Sequence, residues 1–280
     1  MNVYDNIKNK LNNVKNDIIS VVYAPPTESR FFEEGKLTPQ EFVTSGDALI
    51  NMCPQWKWMP ASAEKYKNKY LPAEKQYLLM EKVPCDQRVQ ELMDSIAVNE
   101  KEDEEEYIIN DQKKNNDQNI IETKIGQLSI KEHFTEEKQG GEEKKEDNDD
   151  DNVVVVEAPI ERRYYDLSIC YDLVTYTPHL FLQGVDEDNV PLKQNQVFED
   201  IVSHYSNKTI TFEVMPQTGI VQASLHPCKH SQVIKHMVDN INQSGGSIKS
   251  HQCLFVFLKF LQSVIPTIEY DVAGDIIFDE

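Results

Sequence analysis

The residues best suited to chemistry in this chain are Cys228 and the two histidines around it, in the run Ser224-Leu225-His226-Pro227-Cys228-Lys229-His230. A cysteine becomes a nucleophile when its surroundings favour the thiolate. Pro227 fixes its own φ and biases His226 toward an extended conformation, so a helix that follows cannot reach back past them. Such a helix is expected, because Val233, Ile234, Met237, Val238 and Ile241 recur at the steps of a half-buried helical face. Cys228 then sits at or near the first turn, where unpaired backbone N–H groups and the helix dipole favour a negative charge. Two readings are open on local chemistry alone: a catalytic nucleophile, or a small buried apolar side chain. A metal site built from His226, Cys228 and His230 is not expected. Ligands two apart across a proline rarely converge, and no CxxC pair completes a set. No cofactor is expected either.

The elements that must position this run belong to a chain of 280 residues with a net charge of −20. That charge argues against nucleic acid as a partner. Cys53, Cys85, Cys170, Cys228 and Cys253 are odd in number and irregular in spacing, and no secretory core opens the chain, so a reducing cytoplasm fits best. No apolar run approaches the roughly 18 residues of a membrane-spanning helix.

Residues 1–22 read as an amphipathic helix. Tyr4, Ile7, Leu11, Val14, Ile18 and Val21 form a narrow apolar stripe among asparagines and lysines. The stripe could pack on its own domain, pair with another helix, or lie in a membrane interface. Thr38-Pro39-Gln40-Glu41 is a capping box with proline at the first helical position, and Cys53-Pro54 stops the helix it starts. Trp56 and Trp58 alternate as in a strand. Gln76 to Val83 reads as another strand, closed by Pro84. These residues form the first part of one mixed domain, over 23–85.

Composition then changes over 86–152. Between Glu100 and Asp151 there are 19 acidic and 8 basic residues, too polar a stretch to offset its ordering entropy, and disorder is expected. The run Val153 to Val156 marks either the end of that insert or an added strand. Strands are expected over Tyr165–Asp172, Leu180–Gly184 and Thr209–Val214, with a turn at Asp186 to Asn189. A loop from Pro216 to Gly219 leads to the Cys228 run. Gly245-Gly246 ends the next helix, and Cys253 to Val264, apolar almost all round, is a buried helix broken at Ile265-Pro266. The second part of the domain covers 153–280, and the fold class is α+β with an antiparallel sheet.

Several blocks together carry a family resemblance. They are Thr38 to Val43 with Gly46-Asp47, Cys53 to Trp58, Tyr165-Asp166-Leu167, Thr177-Pro178, Lys208-Thr209-Ile210-Thr211, His226 to His230, and Phe257 to Phe260 with Val264 to Asp271. The chain resembles the autophagy lipid-conjugating enzymes, ubiquitin-conjugating-type enzymes that attach a ubiquitin-like modifier to phosphatidylethanolamine. The resemblance implies a ubiquitin-conjugating-like fold. It implies that Cys228 takes the modifier as a thioester from an activating enzyme, and that the lipid amine then attacks. It implies that the first helix senses membranes and that the acidic insert docks on the activating enzyme. A threonine of the Lys-Thr-x-Thr strand is implied as support for the oxyanion, making Thr209 and Thr211 candidates. His226 is read as positioning the loop by hydrogen bonds or as moving protons, and His230 as either solvated or orienting the site. The chain lacks the longer insertion, with its aromatic-x-x-leucine motif, that some members carry after the reactive helix. Two rival classes stay open: a cysteine-dependent deconjugating hydrolase, which needs a histidine paired in space with Asp or Asn, and a catalytically silent membrane adaptor.

Overall fold

A computed structural model describes residues 24–94, 161–202 and 209–268. The expected helix over 1–22, the acidic insert from 95 onward and the valine run 153–156 lie outside the described residues.

One turn of helix, α1 (Phe31–Glu34), precedes α2 (Pro39–Met52). The start of α2 is set by the expected capping box: Glu41 N–H donates to Thr38 Oγ1 at 3.1 Å and Thr38 N–H to Glu41 Oε2 at 2.9 Å. The strands are β1 (Lys57–Met59), β2 (Tyr77–Cys85), β3 (Arg163–Tyr171), β4 (Pro178–Val185), β5 (Ile210–Val214) and β6 (Val221–Leu225). They form one sheet in the order β1-β2-β3-β4-β6-β5, antiparallel at every pairing. A short helix, α3 (Gln194–Glu199), follows β4; α4 (His230–Gln243) and α5 (Cys253–Val264) follow β6.

The α+β class and the antiparallel sheet are as the sequence indicates. Three elements carried no expectation: α1, α3 and β6. One boundary moves. Pro84 does not close β2; it lies inside the strand, paired with Tyr164 beyond an irregularity between Met80 and Val83. A missing N–H is tolerated there because β1 flanks β2 only from Tyr77 to Leu79.

The main core fills one face of the sheet. Leu167, Ile169 and Tyr171 of β3 point into it with Leu180 and Leu182 of β4, and nine of the twelve residues of α5 are buried against them. Each buried Leu or Phe there contributes about 1.5–3 kcal/mol of transfer free energy. The first turn of α5 finds a partner for an otherwise orphaned donor: Leu254 N–H donates to Ser45 Oγ of α2 at 2.9 Å, and Ser45 is fully buried. A smaller cluster, Tyr77, Cys170, Phe181 and Met215, covers the opposite face.

Gly35 joins α1 to α4. Its φ of +66° is left-handed, and a Cβ there would stand 2.1 Å from the carbonyl oxygen of Ser231. Gly35→Ala should therefore lose roughly 2–3 kcal/mol, the sum of the left-handed cost and a backbone displacement. A urea titration would read it, and an unchanged midpoint would show that α1 moves away at no cost.

Residues 86–94, grouped with the insert by composition, belong to the fold. Val89 is buried, and Arg88 Nη1 bonds the buried Asp200 carboxylate at 2.8 Å. Arg88 also donates to the carbonyl of Glu161, and Arg162 pairs with Asp86 at 2.6 Å. The chain thus leaves the described fold and returns to it through one clamp.

Candidate functional site

β6 lies inside the sheet, between β4 and β5. It delivers the reactive run from a fixed position, since Ala223, Ser224 and Leu225 are all buried. His226 leaves the strand with its N–H donated to the Thr209 carbonyl at 2.8 Å. Pro227 opens a 3-10 turn, Pro227–Lys229, and α4 starts at the next residue. The side chain of His226 turns back, and its Nδ1 accepts Cys228 N–H at 3.2 Å. Cys228 is thus one tight turn ahead of α4, and its side chain is exposed.

The other four cysteines are buried. Burial, with the Asp200 charge nearby, pushes the Cys85 thiol up to about 11. Burial likewise holds Cys170 and Cys253 well above the ordinary thiol range. These are packing residues, whereas Cys228 alone meets solvent. Of the two readings open for it, the buried apolar one is excluded.

On the far side of the turn His230 is 2% exposed, so it is not solvated. Its Nδ1 lies 2.9 Å from the Pro178 carbonyl, and its ring packs against Phe257 and Phe260. A carbonyl only accepts, so Nδ1 carries the proton and donates. Burial drives the ring's pKa down to about 4. Both histidines beside Cys228 are thus engaged with backbone groups.

The chain matches the family described as "Autophagocytosis associated protein, active-site domain" over residues 41–272, and Cys228 falls in that span. It is 37% identical to autophagy-related protein 3 of Dictyostelium discoideum, over 87% of this chain and 90% of that protein. With the protein of the same name from Arabidopsis thaliana the identity is 33%, over 96% and 97% of the two chains. With that of Saccharomyces cerevisiae S288c it is 31%, over 87% and 92%. The chain belongs to the autophagy-related protein 3 family. That is the conjugating-enzyme family which the His-Pro-Cys and accompanying blocks resemble.

In this family member the two candidate threonines differ in placement. Thr209 is partly buried and holds the reactive turn through its carbonyl. Thr211 is exposed and pairs across the sheet with Ser224; its hydroxyl faces Glu213 Oε1 at 3.4 Å. Among the described residues neither hydroxyl is hydrogen-bonded to Cys228. His226, Cys228 and Thr209 are brought together, while Thr211 stands two strand positions further from the turn.

A polar row beneath the turn had no sequence signal. His179 Nε2 is 2.6 Å from Ser224 Oγ, and Ser224 Oγ is 2.6 Å from Glu213 Oε1. On its other side His179 Nδ1 faces Asp172 Oδ2 at 3.6 Å. Burial by itself would raise the pKa of Asp172, but His179 and the donors of Thr175 outweigh it and hold the carboxyl at about 2. The order Asp-His-Ser invites comparison with a hydrolytic triad. Ser224, however, is fully buried and gives its proton to Glu213, so no substrate reaches it.

Proposed function

We propose that this chain accepts a ubiquitin-like modifier on Cys228 and passes it to the amine of phosphatidylethanolamine at a membrane. In the first step Cys228 Sγ attacks the modifier's terminal acyl group on an activating enzyme and displaces that enzyme's thiol. In the second, the lipid amine attacks the Cys228 thioester, an amide forms, and the thiol is released. Membership of the family and the antiparallel sheet with flanking helices support a ubiquitin-conjugating-like fold.

One observation carries the chemical reading. Cys228 is exposed on a turn held from both sides; His226 and His230 each engage a backbone group through Nδ1, and among the described residues no Asp or Asn side chain is hydrogen-bonded to either ring. A hydrolase needs a free imidazole to activate water. An acyl carrier needs an accessible thiol and, during aminolysis, a donor for the developing negative charge. Thr209 and Thr211 are the candidates for that donor. The helix expected over 1–22, with its apolar stripe, is the proposed membrane contact, the acidic insert is the proposed dock for the activating enzyme, and the proposed site of action is cytoplasmic, transiently at membranes.

The test is a non-reducing gel after mixing the protein with activating enzyme, modifier and ATP. Wild type should give a thiol-sensitive adduct. Cys228→Ser should give a thiol-resistant ester, and Cys228→Ala no adduct. An unmodified wild type beside a demonstrably active partner enzyme would sink the reading.

A further inference from the structure

The backbone ladder between β4 and β6 is short. It pairs Phe181 with Ser224 and Leu182 with Ala223, and stops there. The reactive turn begins two residues later, so the sheet's own hydrogen bonds do not hold β6 to β4 at the point where aim matters most. Side chains take over. His179 is 5% exposed and stacks on Phe181, with ring centroids 4.4 Å apart. Ser224 has a single hydroxyl proton, and the Glu213 carboxylate can only accept it. The contact between His179 Nε2 and Ser224 Oγ therefore has the imidazole as donor. The chain of bonds runs from His179 on β4 through Ser224 on β6 to Glu213 on β5 and ties the three strands side by side.

The neighbouring residue acts on the other end of the turn. Pro178 gives its carbonyl to His230, the first residue of α4. The first two residues of β4 thus hold both flanks of the segment carrying Cys228: Ser224 before it and His230 after it. Asp172 steadies the clamp from outside, fixed by the amides of Val174 and Thr175 and by the Thr175 hydroxyl.

We propose that His179 is a positioning residue for acyl transfer at Cys228, setting the aim of the reactive turn through Ser224. The proposal rests on the thioester reading given above. Misplacing a reacting group by about 1 Å from a distance costs up to a hundredfold in rate, and two variants test this. Ser224→Ala cuts the link with the least change in volume. His179→Leu removes the donor but keeps an apolar partner for Phe181. Three quantities are measured below the unfolding midpoint of each variant: the rate of thioester loading, the rate of discharge of the isolated thioester to ethanolamine, and the rate of alkylation of Cys228 by iodoacetamide, which needs no partner protein.

Discharge should fall about tenfold or more in both variants, with loading and alkylation within roughly twofold of wild type. His179→Gln, whose amide N–H also reaches Ser224, should recover part of the discharge rate. Discharge at the wild-type rate in Ser224→Ala overturns the proposal. So does a parallel fall in all three rates, which marks a merely structural role. A wild-type protein that never loads sinks the thioester reading itself, whereas a loading wild type with unaffected variants removes only the role of His179.

Discussion

Asp200→Ala is expected to lower the unfolding free energy by about 3–5 kcal/mol, the range for removing one partner of a buried charge pair. Asp200 is fully buried at the end of α3. It accepts from Arg163 Nη1 at 3.0 and 3.1 Å, from Arg88 Nη1 at 2.8 Å, and from the Tyr165 hydroxyl at 2.5 Å. The side chain of Arg163 is 5% exposed and that of Arg88 15%, so neither guanidinium turns to water without moving the backbone that carries it. Without the carboxylate, Arg163 keeps Glu199 and the Gln196 carbonyl, while Arg88 keeps only neighbouring acceptors such as the Glu161 carbonyl. Asp200→Asn should cost less, since one acceptor oxygen survives. A guanidinium titration followed by the fluorescence of buried Trp56 would measure both. A loss below about 1 kcal/mol in Asp200→Ala would mean that water replaces the carboxylate. The network sits at the Arg163 end of β3, and the row under the reactive turn sits toward its Tyr171 end, with His179 opposite Cys170. Thioester loading by folded Asp200→Ala should therefore stay near the wild-type rate.

The second large effect is a dependence on pH. His230 has a folded pKa near 4, lowered chiefly by burial, against an ordinary value of 6.5. Between those values the unfolded chain binds a proton at His230 that the native chain refuses. Stability therefore rises with pH through this window, is complete above about 6.5, and is lost on acidification toward 4. The contribution is about 3 kcal/mol across the window. His230→Asn keeps a donor for the Pro178 carbonyl but no longer titrates. Urea midpoints at pH 7, 6, 5 and 4.5 should show the gap between wild type and His230→Asn narrowing as pH falls. A constant gap would show that the native ring accepts its proton at the ordinary pH. Asp172 acts lower on the scale: its folded pKa is depressed to about 2 from 3.8, so its contribution is present above 3.8 and lost below that. His230 follows the reactive turn and Asp172 faces His179 beneath it, and the two weaken in separate pH windows.

How much of this is legible in the sequence depends on whether the signal is local. The capping box at Thr38, the strand character of β3, the all-round apolar run of α5 and the stop at Gly245 are read from neighbours, and each element is present, β3 with its bounds shifted by one or two residues. β6 is five residues long and mixes buried polar with apolar positions, so it has too few repeats for a period to show. Pro84 misled because its tolerance depends on how short β1 is, a fact of pairing and not of composition. The exposed cysteine was found through its motif. The row beneath it was not, because Asp172, His179, Glu213 and Ser224 meet only once β3, β4, β5 and β6 are in register. His230 shows the same limit: nothing in a His-Pro-Cys-Lys-His run says that the last histidine turns inward to a carbonyl of another strand.

The clamp at Arg88 and Glu161 bears on how the chain is connected. β2 comes before the acidic stretch and β3 after it, yet they pair from Tyr77–Cys170 to Cys85–Arg163, and the Arg88–Asp200 contact joins the same two halves beneath the surface. Covalent continuity through residues 95–160 is therefore not what keeps the sheet whole. The two halves have the anatomy of complementary fragments that recognise each other through a long seam. The acidic stretch can lengthen, shorten or be cut in the course of evolution while the particle that carries Cys228 stays in one piece.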